Sequence, residues 1–285
     1  ITDGLLVSGK ERLTLDSTQL VAGRNGNSQF IRLSSPIASA AIEGQYRYTE
    51  LGAIIQNNID PYFSIVPGNA LQKVSPYDFT FRLDVANSPF LSAFVPGLNI
   101  REPIHMEGSM ATGRGMQAVA QTPSLLFNGM DITGLNANIN TTAEGLQLTG
   151  TVAHLKSGTT DLYNTRLSAT ALDNVINFGL RVGDQTDKDK YLLSGVLHQP
   201  RQGTYALQLR SDSILLNYDR WNIADNNEIL ISPTGIAANN FSLQKDGQSL
   251  TIQSAKGMSG GPLNISFNNF KLGTITGFMQ ADSLL

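Results

Sequence analysis

The stretch Phe79-Thr80-Phe81-Arg82-Leu83-Asp84-Val85 alternates apolar and polar residues at every step. Because successive side chains of a β-strand point to opposite faces of a sheet, this alternation predicts a strand with one apolar and one polar face. The same period of two returns until the chain ends, in Leu146-Leu148-Gly150-Val152, Phe178-Leu180-Val182, Tyr205-Leu207-Leu209 and Leu263-Ile265-Phe267. The sequence therefore predicts an all-β fold with a long amphipathic sheet.

Turn signals separate these runs about every ten to fourteen residues. Glycine and asparagine supply the positive φ angles that tight hairpins need. The signals lie at Glu144-Gly145, Ser157-Gly158, 187–190, Gln202-Gly203, 233–235, Asp246-Gly247 and Gly260-Gly261. This spacing predicts about twenty short antiparallel strands in series. No linker composition divides the series, so residues 1–285 are interpreted as one continuous β-structured segment of a longer protein.

Two stretches break the alternation and predict short helices. Residues 49–63 place Leu51, Ile54, Ile55, Ile59 and Phe63 on one helical face, with Thr49 as the predicted N-cap. Residues 88–95 predict a second helix, which is capped by a serine and begins with a proline. We expect both helices to pack an apolar face against the apolar side of the sheet, or to fill it.

Composition excludes several classes of function. The chain has 285 residues, 41% of them hydrophobic and 15% charged, with a net charge of −3 and no cysteine. Without a basic stripe, the phosphate contacts that dominate nucleic-acid binding are not predicted. Without cysteine, disulfides, thiolate zinc sites and cysteine nucleophiles are excluded, and an oxidising compartment is compatible.

The pattern Gly257-Met258-Ser259-Gly260-Gly261 matches the G-x-S-x-G motif of serine hydrolases. That chemistry requires a helix after the serine and a histidine later in the chain. Here a further strand is predicted, and all three histidines come earlier. We interpret the motif as a glycine-rich turn and predict that the chain is not an enzyme.

The other residues that could carry chemistry have simpler explanations. His105, His154 and His198 are far apart in sequence, without an adjacent carboxylate to orient a ring. The acidic residues at 184, 187 and 189 lack the glycine and the distal glutamate of a calcium loop, and Lys188 and Lys190 are expected to neutralise them. Trp221 is predicted to anchor the core. No metal or cofactor is predicted.

Three architectures fit an alternating chain. A membrane barrel would gather its aromatic residues at the strand ends, whereas those of this chain are scattered. A soluble sandwich usually needs only seven to nine strands. A U-shaped sheet of about twenty strands, roughly 100 Å long, would instead line an elongated groove with its apolar face. The residues predicted to line it are Phe79, Phe81, Leu83, Leu146, Leu148, Phe178, Leu180, Leu207, Leu209, Ile229, Ile231, Phe241, Leu243, Leu250, Ile252, Ile265 and Phe267.

Two segments resemble a known family. They are Ser35 to Gly52, SPIASAAIEGQYRYTELG, and Arg220 to Ser254, RWNIADNNEILISPTGIAANNFSLQKDGQSLTIQS. Both resemble the central region of the TamB (translocation and assembly module) family of Gram-negative envelopes, most closely its Bacteroidetes forms. The second segment resembles that family's recurring tryptophan, Asn-Asn and two-hairpin pattern.

The resemblance implies an AsmA-like, bridge-type lipid transfer protein, whose β-groove conducts phospholipids between the inner and outer membranes across the periplasm. It also implies an N-terminal inner-membrane anchor and docking to an outer-membrane barrel of the Omp85 type, both through parts of the protein that this chain does not include. Two alternatives stay open, an assembly factor for outer-membrane proteins and a closed extracellular β-rich binding module.

Overall fold

The computed structural model describes residues 5–8, 11–14, 17–64, 71–88, 91, 95–158, 160–212, 214–254 and 260–269. The chain divides into two compact units. The first comprises Ile1–Asp60 and Ala70–Asp161, and the second Pro61–Asn69 and Leu162–Leu285. No helix in the described ranges is long and apolar enough to span a bilayer.

The first unit is built on antiparallel strands. From β3 to β6 each strand pairs with the next, β6 then pairs with β8, and pairing continues from β8 through β9 and β10 to β11. The short β7 pairs with the end of β9, and β1 pairs with β2. The strands are β1 (Leu5–Ser8), β2 (Glu11–Thr14), β3 (Gln19–Asn25), β4 (Ser28–Ser34), β5 (Ala38–Gln45), β6 (Asp78–Val85), β7 (Leu98–Ile100), β8 (Ile104–Ala111), β9 (Gly115–Phe127), β10 (Met130–Thr142) and β11 (Gly145–Ser157).

The second unit is also antiparallel, and its sheet divides at β14. The C-terminal half of β14 pairs with β15, which continues through β18 to β19, whereas Tyr191 and Leu192 pair with β16. From β16 the pairing continues through β17, β20 and β21 to β22. The strands are β12 (Thr160–Leu172), β13 (Val175–Gly183), β14 (Asp189–Arg201), β15 (Thr204–Leu209), β16 (Ile214–Leu216), β17 (Asp219–Ile223), β18 (Glu228–Ser232), β19 (Gly235–Asn239), β20 (Phe241–Lys245), β21 (Gln248–Ser254) and β22 (Leu263–Asn268).

The predicted all-β class, with many antiparallel strands in series, is confirmed. Two-residue hairpins occur where glycine or asparagine supplies a positive φ. Asp173 and Asn174, for example, join β12 to β13 with φ angles of 52° and 59°. Several strands are longer than expected, since β9 to β12 and β14 have 13 residues each.

The first predicted helix is shorter than the pattern suggested. A 3₁₀ turn spans Tyr48–Glu50 and α1 spans Leu51–Ile59, because Pro61 lacks the N–H that a further turn would need. Glu50, not Thr49, is the N-cap residue, and its carboxylate accepts hydrogen bonds from Ser75 N (2.8 Å) and Ser75 Oγ (3.2 Å). The bond from the backbone N–H of Ser75 lowers the pKa of this carboxyl.

Only part of the predicted helical face is buried. Ile54 is fully buried, whereas Ile55 is 46% exposed. Asn58 is buried instead, and its amide donates to Ile54 O (2.7 Å) and to Tyr77 Oη (2.9 Å). The side chain of Phe63 lies beyond the helix and stacks on Tyr205 within the second unit.

The second predicted helix falls largely outside the described residues, which omit 89–90 and 92–94. Two backbone hydrogen bonds are described there, from Leu91 N to Ser88 O (3.0 Å) and from Val95 N to Leu91 O (2.9 Å).

Candidate functional site

The first unit has one apolar face, which the strand register defines. Phe81 lies opposite Ile42 on one side and Gly108 on the other, and Leu83 lies opposite Ala40 and Met106. Directly opposed residues of neighbouring strands point to the same side of a sheet. The row through Phe81 comprises Ala22, Ile31, Ile42, Phe81, Gly108, Ala118, Ile139 and Leu148.

This face is apolar but only partly covered. Phe79 (4% exposed) and Leu146 (8%) are buried, whereas Leu148 is 36% exposed and Phe81 and Leu83 are half-buried. The five lining residues predicted in this unit therefore share one face, as the alternation indicated. Leu20, at the β3 end of the same face, is 68% exposed.

Two of the predicted lining phenylalanines cover glycines on the neighbouring strand. A Cβ added to Gly108 would lie 2.7 Å from Phe81 Cζ, and one added to Gly195 would lie 2.9 Å from Phe178 Cζ. The rings thus lie against bare backbone, an arrangement that stabilises strand glycines. The two glycines are opposite these phenylalanines in the register.

In the second unit, part of the apolar face closes on itself around Trp221. This Trp221 core contains the buried side chains Ile214, Trp221, Ile223, Ala238, Phe241 and Leu243. Six predicted lining residues lie in it or pack against it, namely Leu209, Ile229, Phe241, Leu243, Leu250 and Ile252. The role predicted for Trp221 agrees with its 2% exposure. Here the sheet covers its apolar face with its own side chains.

The division of the sheet places the two sides of this core face to face. Ile229 and Ala238 come from the β15–β18–β19 arm, and Trp221 and Leu243 from the β16–β17–β20–β21 arm. The backbone N–H of Ala238 donates to Ser254 Oγ (2.8 Å), which joins β19 to the end of β21. This local sandwich was not predicted from the sequence.

The remaining predicted lining residues lie outside the Trp221 core. Phe178, Leu180 and Leu207 are half-buried on β13 and β15. Ile231 is 42% exposed on β18, and on β22 Ile265 and Phe267 are 55% and 58% exposed. The outer part of the second unit therefore keeps an accessible apolar surface.

The polar face of the first unit carries ion pairs between directly opposed residues. Arg82 Nη2 lies 3.0 Å from Glu107 Oε2. His105 Nδ1 lies 2.5 Å from Asp84 Oδ1, and Ser39 Oγ donates to Asp84 Oδ2 (3.0 Å). The bond from His105 lowers the pKa of the Asp84 carboxyl. The expectation that no carboxylate orients a histidine was wrong, because these partners meet only through strand pairing.

The other two histidines are on β11 and β14. His154 contacts Asp161, and His198 is half-buried. The described residues contain no group of three or more potential metal ligands among histidine and acidic residues. Ser259 lies outside the described residues.

The acidic turn before β14 is a structural link. Asp184 accepts hydrogen bonds from Thr186 Oγ1 (2.7 Å), Tyr218 Oη (2.8 Å) and the backbone N–H groups of Thr186 and Lys188. These bonds, led by that from the Thr186 side chain, hold the pKa of Asp184 well below its ordinary value. The turn is thereby tied to the β16–β17 hairpin.

Arg181 neutralises the other two acidic residues of this turn. Its guanidinium lies 3.0 Å from Asp187 Oδ1 and 2.5 Å from Asp189 Oδ1. The two lysines expected in that role lie instead over tyrosine rings, Lys188 over Tyr218 and Lys190 over Tyr191.

Comparison of the chain with protein-family models, with curated proteins and with solved structures finds no match. The two faces of the sheet are therefore the features from which a function can be inferred.

Proposed function

We propose that the apolar faces of this chain carry phospholipid acyl chains and form part of a conduit across the periplasm between the inner and outer membranes. The supporting observation is the row through Phe81, which crosses eight strands without a polar side chain. The side chains of this row are half-buried or exposed, and Gly108 contributes none. Large apolar surfaces that stay accessible to solvent usually have a binding role.

Such a surface lowers the cost of moving lipid through water. Transfer of an acyl chain of about sixteen carbons to water costs about 12 kcal/mol in free energy, at about 0.8 kcal/mol per methylene. A row of aliphatic side chains offers the same contact at each step. No single position then holds the chain strongly enough to stop it, and the headgroup stays in solvent.

Adjacent residues of β10 provide a matched test. Ile139 lies on the apolar face, opposite Ala118 and Leu148, whereas Asn138 lies on the polar face. Ile139→Asp places a carboxylate among acyl chains, where an unpaired charge costs several kcal/mol. Asn138→Asp adds the same charge on the other face.

The measurement is transfer of a fluorescent phospholipid from donor to acceptor vesicles, after circular dichroism shows that both variants fold. We expect Ile139→Asp to abolish transfer and Asn138→Asp to leave it unchanged. Equal transfer by the two folded variants would rule out the apolar face as the path and favour an assembly role.

The Trp221 core favours a second candidate, a closed β-rich binding module. In that case the apolar residues of β15 to β21 serve only as core, and ligands bind elsewhere. The same vesicle assay separates the two, because a closed module transfers no lipid in either variant or in the wild type.

A further inference from the structure

Three cavities of the first unit open on its polar face. They have volumes of about 510, 480 and 380 Å³, and Val119 lines all three. Arg82 and Glu107 are shared by the first two, and Gln117 by the first and the third. The three cavities therefore adjoin one another across β5, β6, β8, β9, β10 and β11, and together we call them the polar furrow.

A row of uncharged hydrogen-bonding side chains runs along the polar furrow. Its members occupy directly opposed positions on five neighbouring strands, so their Cβ atoms lie about 5 Å apart from strand to strand. They are Thr80, Ser109, Gln117, Asn140 and Gln147. At the usual strand spacing the row is about 19 Å long. It is therefore suited to an extended ligand that crosses the strands.

The charged residues of the polar furrow already have partners. Glu43 pairs with Arg32, Arg82 with Glu107, and Asp84 with His105. A charged ligand would compete with these pairs, whereas an uncharged one leaves them intact.

The amides of the row match a ligand rich in hydroxyl groups. A side-chain amide offers both donors and acceptors, and so does a sugar hydroxyl. A polymer of uncharged sugars presents such groups at regular intervals.

We propose that the polar furrow binds an uncharged oligosaccharide, laid across β6 to β11 along the row from Thr80 to Gln147. The row of hydroxyl and amide groups favours a ligand with hydrogen-bonding groups over an acyl chain, and a nucleic acid would require unpaired basic residues. An extended peptide that binds by strand addition would pair with a strand edge, not with a sheet face. The proposal does not depend on lipid transport, since the two faces are opposite.

The test is isothermal titration calorimetry of the whole chain with three hexasaccharides. Chitohexaose and cellohexaose are the uncharged probes, and a heparin hexasaccharide is the polyanionic one. We expect saturable binding of at least one uncharged probe and none of heparin. Gln117→Ala and Gln147→Ala should each weaken that binding about tenfold, as the loss of an amide contact predicts.

Gln19→Ala is the matched control, because Gln19 lies on the same face on β3 and outside the polar furrow. Its affinity should equal that of the wild type. Failure of both uncharged probes to bind would overturn the proposal, as would tighter binding of heparin. Binding that is unchanged in Gln117→Ala and Gln147→Ala would also overturn it.

Discussion

The side-chain amide of Asn227 forms two hydrogen bonds with the backbone of Leu209. Leu209 N donates to Asn227 Oδ1 (2.9 Å), and Asn227 Nδ2 donates to Leu209 O (2.8 Å) and to Ala224 O (2.7 Å). Asn227 thus bonds the backbone N–H and C=O groups at the end of β15, as a neighbouring strand would. With 1% exposure, it secures one arm of the divided sheet beside the Trp221 core.

Replacing Asn227 should destabilise the chain. Asn227→Ala leaves the two backbone groups of Leu209 without their partner, and each unsatisfied group costs about 1–3 kcal/mol. Urea denaturation should show a loss of about 2–6 kcal/mol in the free energy of unfolding. The neighbouring Asn226 is exposed, so Asn226→Ala should change stability by less than about 0.5 kcal/mol. Equal losses of stability in the two variants would show that the hydrogen bonds of Asn227 to Leu209 do not stabilise the fold.

The side chain of Leu243 should be required for folding. Because Leu243 is 7% exposed in the Trp221 core, Leu243→Asp buries an unpaired charge there and should unfold the chain. Ile265→Asp, on a side chain that is 55% exposed, should leave the circular dichroism spectrum unchanged. A folded Leu243→Asp protein would show that this core opens readily.

Gly108 should tolerate no side chain. A Cβ there would lie 2.3 Å from Gln117 O and 2.7 Å from the Phe81 ring, so Gly108→Ala requires backbone movement. We expect a loss of about 1–3 kcal/mol in thermal or urea unfolding. Gly52→Ala is the control, because nothing lies within 4 Å of its Cβ position and alanine favours the helix by up to about 1 kcal/mol. Similar losses at both glycines would contradict the close contact.

Asp184 should make stability depend on pH. Since its folded-state pKa is lowered, the deprotonated carboxylate stabilises the fold fully above its ordinary pKa of about 4, and this contribution is lost as the pH falls below that value. Asp184→Asn should flatten the decline of the urea midpoint between about pH 4 and 2. Asp225→Asn, at an exposed position, should keep the decline of the wild type. An unchanged slope in Asp184→Asn would show that other carboxylates dominate.

The sequence predicted which residues form strands better than it predicted which strands pair with one another. Alternation at Phe79, Phe81 and Leu83 depends only on local geometry, and these residues do share one face. The contact between Asp84 and His105 depends on a register across 21 residues, which no local pattern contains. Strand pairing is set by the whole sheet, so the contact could not be predicted from one stretch.

For the candidate site, the sequence likewise predicted the apolar faces but not how they are covered. The alternation correctly placed Leu209 and Leu243 on apolar faces, but it could not distinguish an accessible surface from a closed core. That difference arises where β14 pairs with both β15 and β16. The Asn226-Asn227 pair was noted in the sequence, although only the structure shows that the second amide bonds to Leu209.

The most direct test of the lipid proposal is mass spectrometry of an organic extract of the purified chain. The wild type and Asn138→Asp should each carry copurified phospholipid in amounts comparable to the protein, and folded Ile139→Asp should carry little or none. Absence of phospholipid from the wild type, or an equal amount in Ile139→Asp, would contradict the proposal that the apolar face through Phe81 binds acyl chains.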